Sequence, residues 1–176
     1  MLDRIIATWQ AYPLAGPGLL IGLALGAWLW RLSRGDLLDR LGVAVLALWV
    51  VFSLATAFSP PGGVLDTGAA MRGCSVNEWV PLSPTRWSES SSYAISIWYC
   101  VPGGLAAALV QPGRRRRVAL AVAAVVPIVC ELGQLLLPMI RRVCASVDLV
   151  NNWTGIAVGA AIGLAVATWW RRSRTV

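Results

Sequence analysis

Five long apolar runs, separated by polar or helix-breaking stretches, set the pattern of this chain. They fall at about residues 13–31, 41–59, 93–111, 118–137 and 149–170, each close to the roughly 20 residues a helix needs to cross a hydrocarbon core. The first run ends in Trp28, Trp30 and Arg31, an interfacial anchor, and no small-residue cleavage site follows it, so it reads as a span and not as a removed leader. Residues 1–12 are mixed and short and read as a lead-in. The second run stops at Pro60-Pro61-Gly62-Gly63, residues that break helices. Pro102-Gly103-Gly104 in the middle of the third predicts a kink or a locally unwound turn. Gln111 to Arg117 reads as a sharp basic turn, and residues 60–92 as the one long loop.

The pattern predicts an all-α fold: a single membrane-embedded domain over residues 1–176, a polytopic bundle of about five transmembrane helices. Composition agrees. The chain is 57% hydrophobic and 13% charged, too apolar for an ordinary soluble domain of its length. Its net charge of +7 invites a nucleic-acid reading, but all fifteen basic residues are arginines placed between the apolar runs. That is the distribution of topology signals, and nucleic acid is not an expected partner. Ten arginines lie in the connection after the first run, the turn after the third and the tail, against five on the other side. The positive-inside bias therefore predicts an external N-terminus, a cytoplasmic C-terminus and an external 60–92 loop. With no His, and with four Cys at no zinc-like spacing, neither a metal site nor a cofactor is expected.

Two glycine stripes, Gly18, Gly22 and Gly26 in the first run and Gly155, Gly159 and Gly163 in the fifth, repeat every four residues. Small residues on one helix face permit close backbone approach in lipid. As both helices are expected to run in the same direction, the stripes are predicted to pack against each other.

The stretch from Cys130 to Gly163 carries the chemistry. Glu131 and Gln134 share a helical face near the end of the fourth run, with Glu131 about 10 Å inside its outer end. Asp148, Asn151 and Asn152 open the fifth run, and Arg141 and Arg142 lie in the loop between. Ionisable groups at membrane depth are costly unless paired or functional, so these seven residues are the candidate ligand-binding or site-organising set, forming one outward-facing polar pocket. Asp148 also fits a helix cap, Asn151 an interhelical hydrogen bond, and the two arginines a solvated loop.

The ordered set Glu131 and Gln134, an arginine at 141 or 142, then Asp148, Asn151 and Gly155 resembles the signature of the VanZ-like family of bacterial membrane proteins, with Gly159 as a further small residue. The resemblance covers the last third of the chain. The family pattern usually includes a His in an earlier span, which this chain lacks, so no His-dependent chemistry is carried over. The resemblance implies a cytoplasmic-membrane protein connected, in the founding members, with resistance to teicoplanin and related lipoglycopeptides.

Cys74 and Cys144 both fall in segments expected outside, where a disulfide is permitted; two unpaired thiols are the alternative. Cys100 and Cys130 lie within spans and read as small buried residues. The leading functional expectation is a non-enzymatic protein that binds membrane lipid, a lipid-linked envelope precursor or a lipoglycopeptide at the outer leaflet. The alternatives are an intramembrane enzyme using Glu131 or Asp148 as acid or base and a small lipid transporter. The RRRR turn at 114–117 reads mainly as a topology signal, with anionic lipid binding as its second reading.

Overall fold

The computed structural model describes residues 12–60, 74–76, 78–88, 92–137 and 144–174. Within them the chain forms helices α1 (Ala15–Leu32), α2 (Leu37–Ala57), α3 (Ser92–Leu109), α4 (Arg114–Leu136) and α5 (Ser146–Arg172). Two short strands, β1 (Cys74–Ser75) and β2 (Cys144–Ala145), pair in parallel, and a 3₁₀ turn spans Pro84–Arg86. Four helices, α1, α2, α4 and α5, are long and apolar enough to cross a membrane; α3 contributes a shorter apolar helix over Tyr93–Leu109. The protein is thus a helical membrane-type bundle.

Helix ends depart from the apolar runs where capping and solvation extend them. α2 begins at Leu37, ahead of the apolar stretch, because Asp36 Oδ1 accepts the backbone N–H of Asp39 at 2.8 Å and caps the first turn. α4 starts at Arg114 and so takes the arginine run, expected as a turn, into its first helical turn. The tight reversal that remains is made at Gly113, whose φ of 102° suits only a residue without a Cβ.

α3 is the central helix, and its pairing with α5 is the most extensive in the bundle. Ala94, Ile97, Cys100, Ala106, Ala107 and Ala108 along it are buried. Pro102 sits inside an unbroken helix, so the expected local unwinding does not occur. The following glycines serve packing instead: a Cβ on Gly103 would strike the Trp49 indole, and one on Gly104 the carbonyl oxygen of Ile156. Trp49 Nε1 donates to the Tyr99 carbonyl at 3.0 Å, locking α2 onto this notch.

The two glycine stripes are both contact faces, but they do not meet. Gly18, Gly22 and Gly26 of α1 lie against Ala55, Leu48 and Ala44 of α2, an antiparallel register. Gly155, Gly159 and Gly163 of α5 lie against the carbonyls of Ile97, Val101 and Leu105 of α3, a parallel register. The expected α1–α5 pairing is corrected on this ground. A four-residue spacing defines a face without defining its partner, and α3, with its own small residues, offers α5 the closer approach.

Candidate functional site

The bundle has two polar ends, one under the segment between α2 and α3 and one at the arginines between α3 and α4. At the first, a disulfide joins Cys74 to Cys144, with Cα atoms 4.5 Å apart, and pins the 74–88 segment to the start of α5. The β1–β2 pairing adds backbone bonds at the same place. Further along, Ser146 Oγ donates to the Glu78 carbonyl at 2.6 Å, and the Leu82 N–H donates to Asn151 Oδ1 at 2.9 Å. Trp87 Nε1 donates back to the Leu82 carbonyl, and Trp98 Nε1 of α3 donates to the Trp87 carbonyl, each at 2.9 Å. The two indoles meet edge to face. The segment is therefore a strap, fastened by a covalent bond and by hydrogen bonds along its length.

A cavity of about 220 Å³ lies beneath this strap. Its wall is made by Glu78, Val80 to Ser83 and Arg86 on the strap side and by Tyr93, Val147 and Asn151 on the helices. Asn151 is fully buried. Because the Leu82 N–H needs an acceptor, the carboxamide orientation is fixed with Oδ1 toward the strap. Its Nδ2 then has no hydrogen-bond partner among the described residues.

The other sequence-selected residues do not converge on that cavity. Glu131 is buried near the end of α4, and its Oε2 accepts the backbone N–H of Ala145 at 3.0 Å. Asn152 turns toward α3, where its Oδ1 accepts from the Cys100 thiol at 3.3 Å. Gln134 is half-buried on α4, on the helical face it shares with Glu131. Asp148 stands half-buried in the first turn of α5 without capping it: the N-cap is Ala145, which makes no side-chain bond to the helix. Arg141 and Arg142 lie outside the described residues. Among the described members of the set, Asn151 lines the cavity while Glu131 and Asn152 make contacts elsewhere, Asn151 and Asn152 diverging because adjacent residues on a helix point in different directions.

At the second polar end the arginine run was read from the sequence, but its carboxylate partner Asp39 was not. Asp39, in the first turn of α2, is fully buried. Its Oδ2 accepts from Ser33 Oγ at 2.8 Å and pairs with Arg115 Nη1 at 3.0 Å, and its Oδ1 accepts the Gln111 N–H at 2.8 Å. One carboxylate thereby ties the α1–α2 connection to the α3–α4 turn. Arg116 Nε donates to the Val110 carbonyl at 2.9 Å, so successive arginines of the run face different partners. The available signal was the Asp36–Asp39 spacing ahead of an apolar run, which is the pattern of a capped helix start.

Among the described residues no group of three or more Cys, Asp or Glu is arranged to hold a metal ion. These features define the class as a multi-pass helical membrane-type protein with a strapped cavity at one end. Comparison with family models, curated proteins and solved structures gave no match.

Proposed function

We propose that this protein is a non-enzymatic multi-pass membrane protein that binds the polar end of an envelope amphiphile under the strap. One observation carries the reading: the buried Asn151 carboxamide has an N–H₂ with no partner among the described residues, beside a cavity of about 220 Å³. A buried donor without an acceptor costs about 1–3 kcal/mol, and a ligand oxygen in the cavity supplies what is missing. A carboxamide donor calls for a phosphoryl, carboxylate or carbonyl oxygen. Arg86 in the wall favours an anionic group, while Glu78 suits a hydroxyl or amine on the same headgroup.

The arginine distribution supports an orientation with the strap outside and the arginine end in the cytoplasm, with α3 as a fifth crossing. A disulfide at the strap suits that oxidising side. The VanZ-like resemblance of the α4–α5 region extends the ligand class to a lipid-linked envelope precursor or a lipoglycopeptide, and the physiological setting to teicoplanin-type resistance. Glu131 is engaged with the α5 backbone, which favours binding over carboxylate catalysis.

Native mass spectrometry of the purified protein tests the reading. The wild type is expected to retain a specific headgroup-bearing lipid, and Asn151→Leu, which removes the donor, to lose it. Asn151→Asp keeps the acceptor for Leu82 and places an oxygen where the donor was, so it is also expected to reject an anionic headgroup. Equal retention by all three proteins, each still holding the Cys74–Cys144 bond, overturns the proposal.

A further inference from the structure

At the opposite end of the bundle a second, larger opening runs between α1, α2 and α4. Its volume is about 440 Å³, within the range of about 300–1,000 Å³ common for small-molecule sites. Leu25 and Leu29 of α1, Leu46 and Val50 of α2, and Val118 and Val122 of α4 are among its lining residues. Among the described residues, the charged residues in the wall are Arg114 and Arg115. A long apolar slot closed by cations at one end has the charge pattern of a phospholipid turned inside out.

The two arginines are not equivalent. Arg115 is held in place by Asp39 at 3.0 Å and lies within 3.5 Å of Gln111 Oε1, so its guanidinium is oriented before any ligand arrives. Its side chain remains 49% exposed, and it lines the groove. Arg114 is exposed at the same rim, whereas Arg116 is turned to the Val110 carbonyl and Arg117 does not line the groove. The RRRR run thus presents a two-arginine clamp to the slot, a finer arrangement than a topology signal needs.

We infer that this groove is a site for one anionic phospholipid, with an acyl chain along α1, α2 and α4 and the phosphate at Arg114 and Arg115. Geometry and charge complementarity together select that occupant: the apolar lining takes a hydrocarbon chain, and guanidinium groups take a phosphate with fixed geometry. This site lies away from the strap cavity and shares no lining residue with it.

The full-length protein, reconstituted in nanodiscs of equal phosphatidylglycerol and phosphatidylcholine, tests the inference by native mass spectrometry of retained lipid. The wild type is expected to keep one phosphatidylglycerol in preference to phosphatidylcholine. Arg114→Gln is expected to lower that preference about fivefold, the effect of one basic residue near an anionic headgroup, while Arg117→Gln leaves it unchanged. Val122→Phe, at a partly exposed position of α4, is expected to fill the slot and expel lipid of either kind. Asn151→Leu is expected to have no effect, separating this lipid from any ligand of the strap cavity. Equal retention of the two lipids by the wild type, equal losses in Arg114→Gln and Arg117→Gln, loss of the lipid in Asn151→Leu, or a dimer whose second copy occupies the groove would each overturn it.

Discussion

Glu131 Oε2 of α4 accepts the backbone N–H of Ala145, the residue that opens α5, at 3.0 Å. In a capping box the N-cap N–H is satisfied by a Glu or Gln three residues into the same helix. Here the carboxylate arrives from the neighbouring helix, and the N3 position of α5 is Asp148, which makes no such bond. The most deeply placed carboxylate of the α4–α5 region therefore fixes where α5 begins and how β2 is held against α4.

Replacing Glu131 separates its charge from its role as an acceptor. Glu131→Gln retains a carbonyl oxygen and is expected to be mildly destabilising, whereas Glu131→Leu removes the acceptor and is expected to cost about 1.5–3 kcal/mol, as for hydrogen bonds to charged groups. Unfolding in detergent monitored by circular dichroism orders the two. Equal losses would show that the charge, and not the bond to Ala145, is what matters.

The Cys74–Cys144 bond closes 70 residues of sequence. Cys100 and Cys130 are buried and not in a disulfide. Thiol titration of the denatured protein is expected to find two reactive groups without reductant and four after it. Reduction, or Cys74→Ser, is expected to lower stability by about 2–4 kcal/mol and to raise proteolysis within the strap, measured as the cleavage rate between Glu78 and Trp87.

The α3–α5 interface leaves no room for a methyl group at Gly159, where a Cβ would meet the Val101 carbonyl and the Leu105 nitrogen, both backbone atoms. Gly159→Ala is expected to force the helices apart at about 1–3 kcal/mol, the usual cost of overpacking. Gly133→Ala is the contrast: there the neighbour is the Phe58 ring, which can turn away, and a smaller loss is expected. Thermal unfolding of the two variants side by side checks the order.

Asp39 is fully buried while its partner Arg115 is half-exposed. Asp39→Asn keeps an acceptor for Ser33 or Gln111 but loses the ion pair, and a destabilisation of about 1–3 kcal/mol is expected, less than for a pair buried on both sides. Arg115→Gln leaves the carboxylate with Ser33 and Gln111, and a double-mutant cycle on the two positions measures the coupling directly. A coupling of zero would show that the pair contributes nothing beyond its separate contacts.

Hydropathy and run length alone determined the class of this protein and the approximate place of each helix. Burial of backbone groups in hydrocarbon leaves the α-helix as the form an apolar run of this length takes. The pairing of Cys74 with Cys144 was also legible, because both stand in the segments between helices at one end. Helix ends were less so, since Asp36 and the first-turn arginines extend α2 and α4 beyond their apolar runs. Only tertiary structure decided that the α5 glycines lie on α3, that Asn151 faces a cavity while Asn152 faces Cys100, and that Asp39 is the most enclosed carboxylate at the arginine end. Spacing along a helix assigns each side chain a direction but not a neighbour. Asp39 meets the Gln111 N–H across 72 positions and Arg115 across 76, and that meeting exists only once two connections have been brought together by packing.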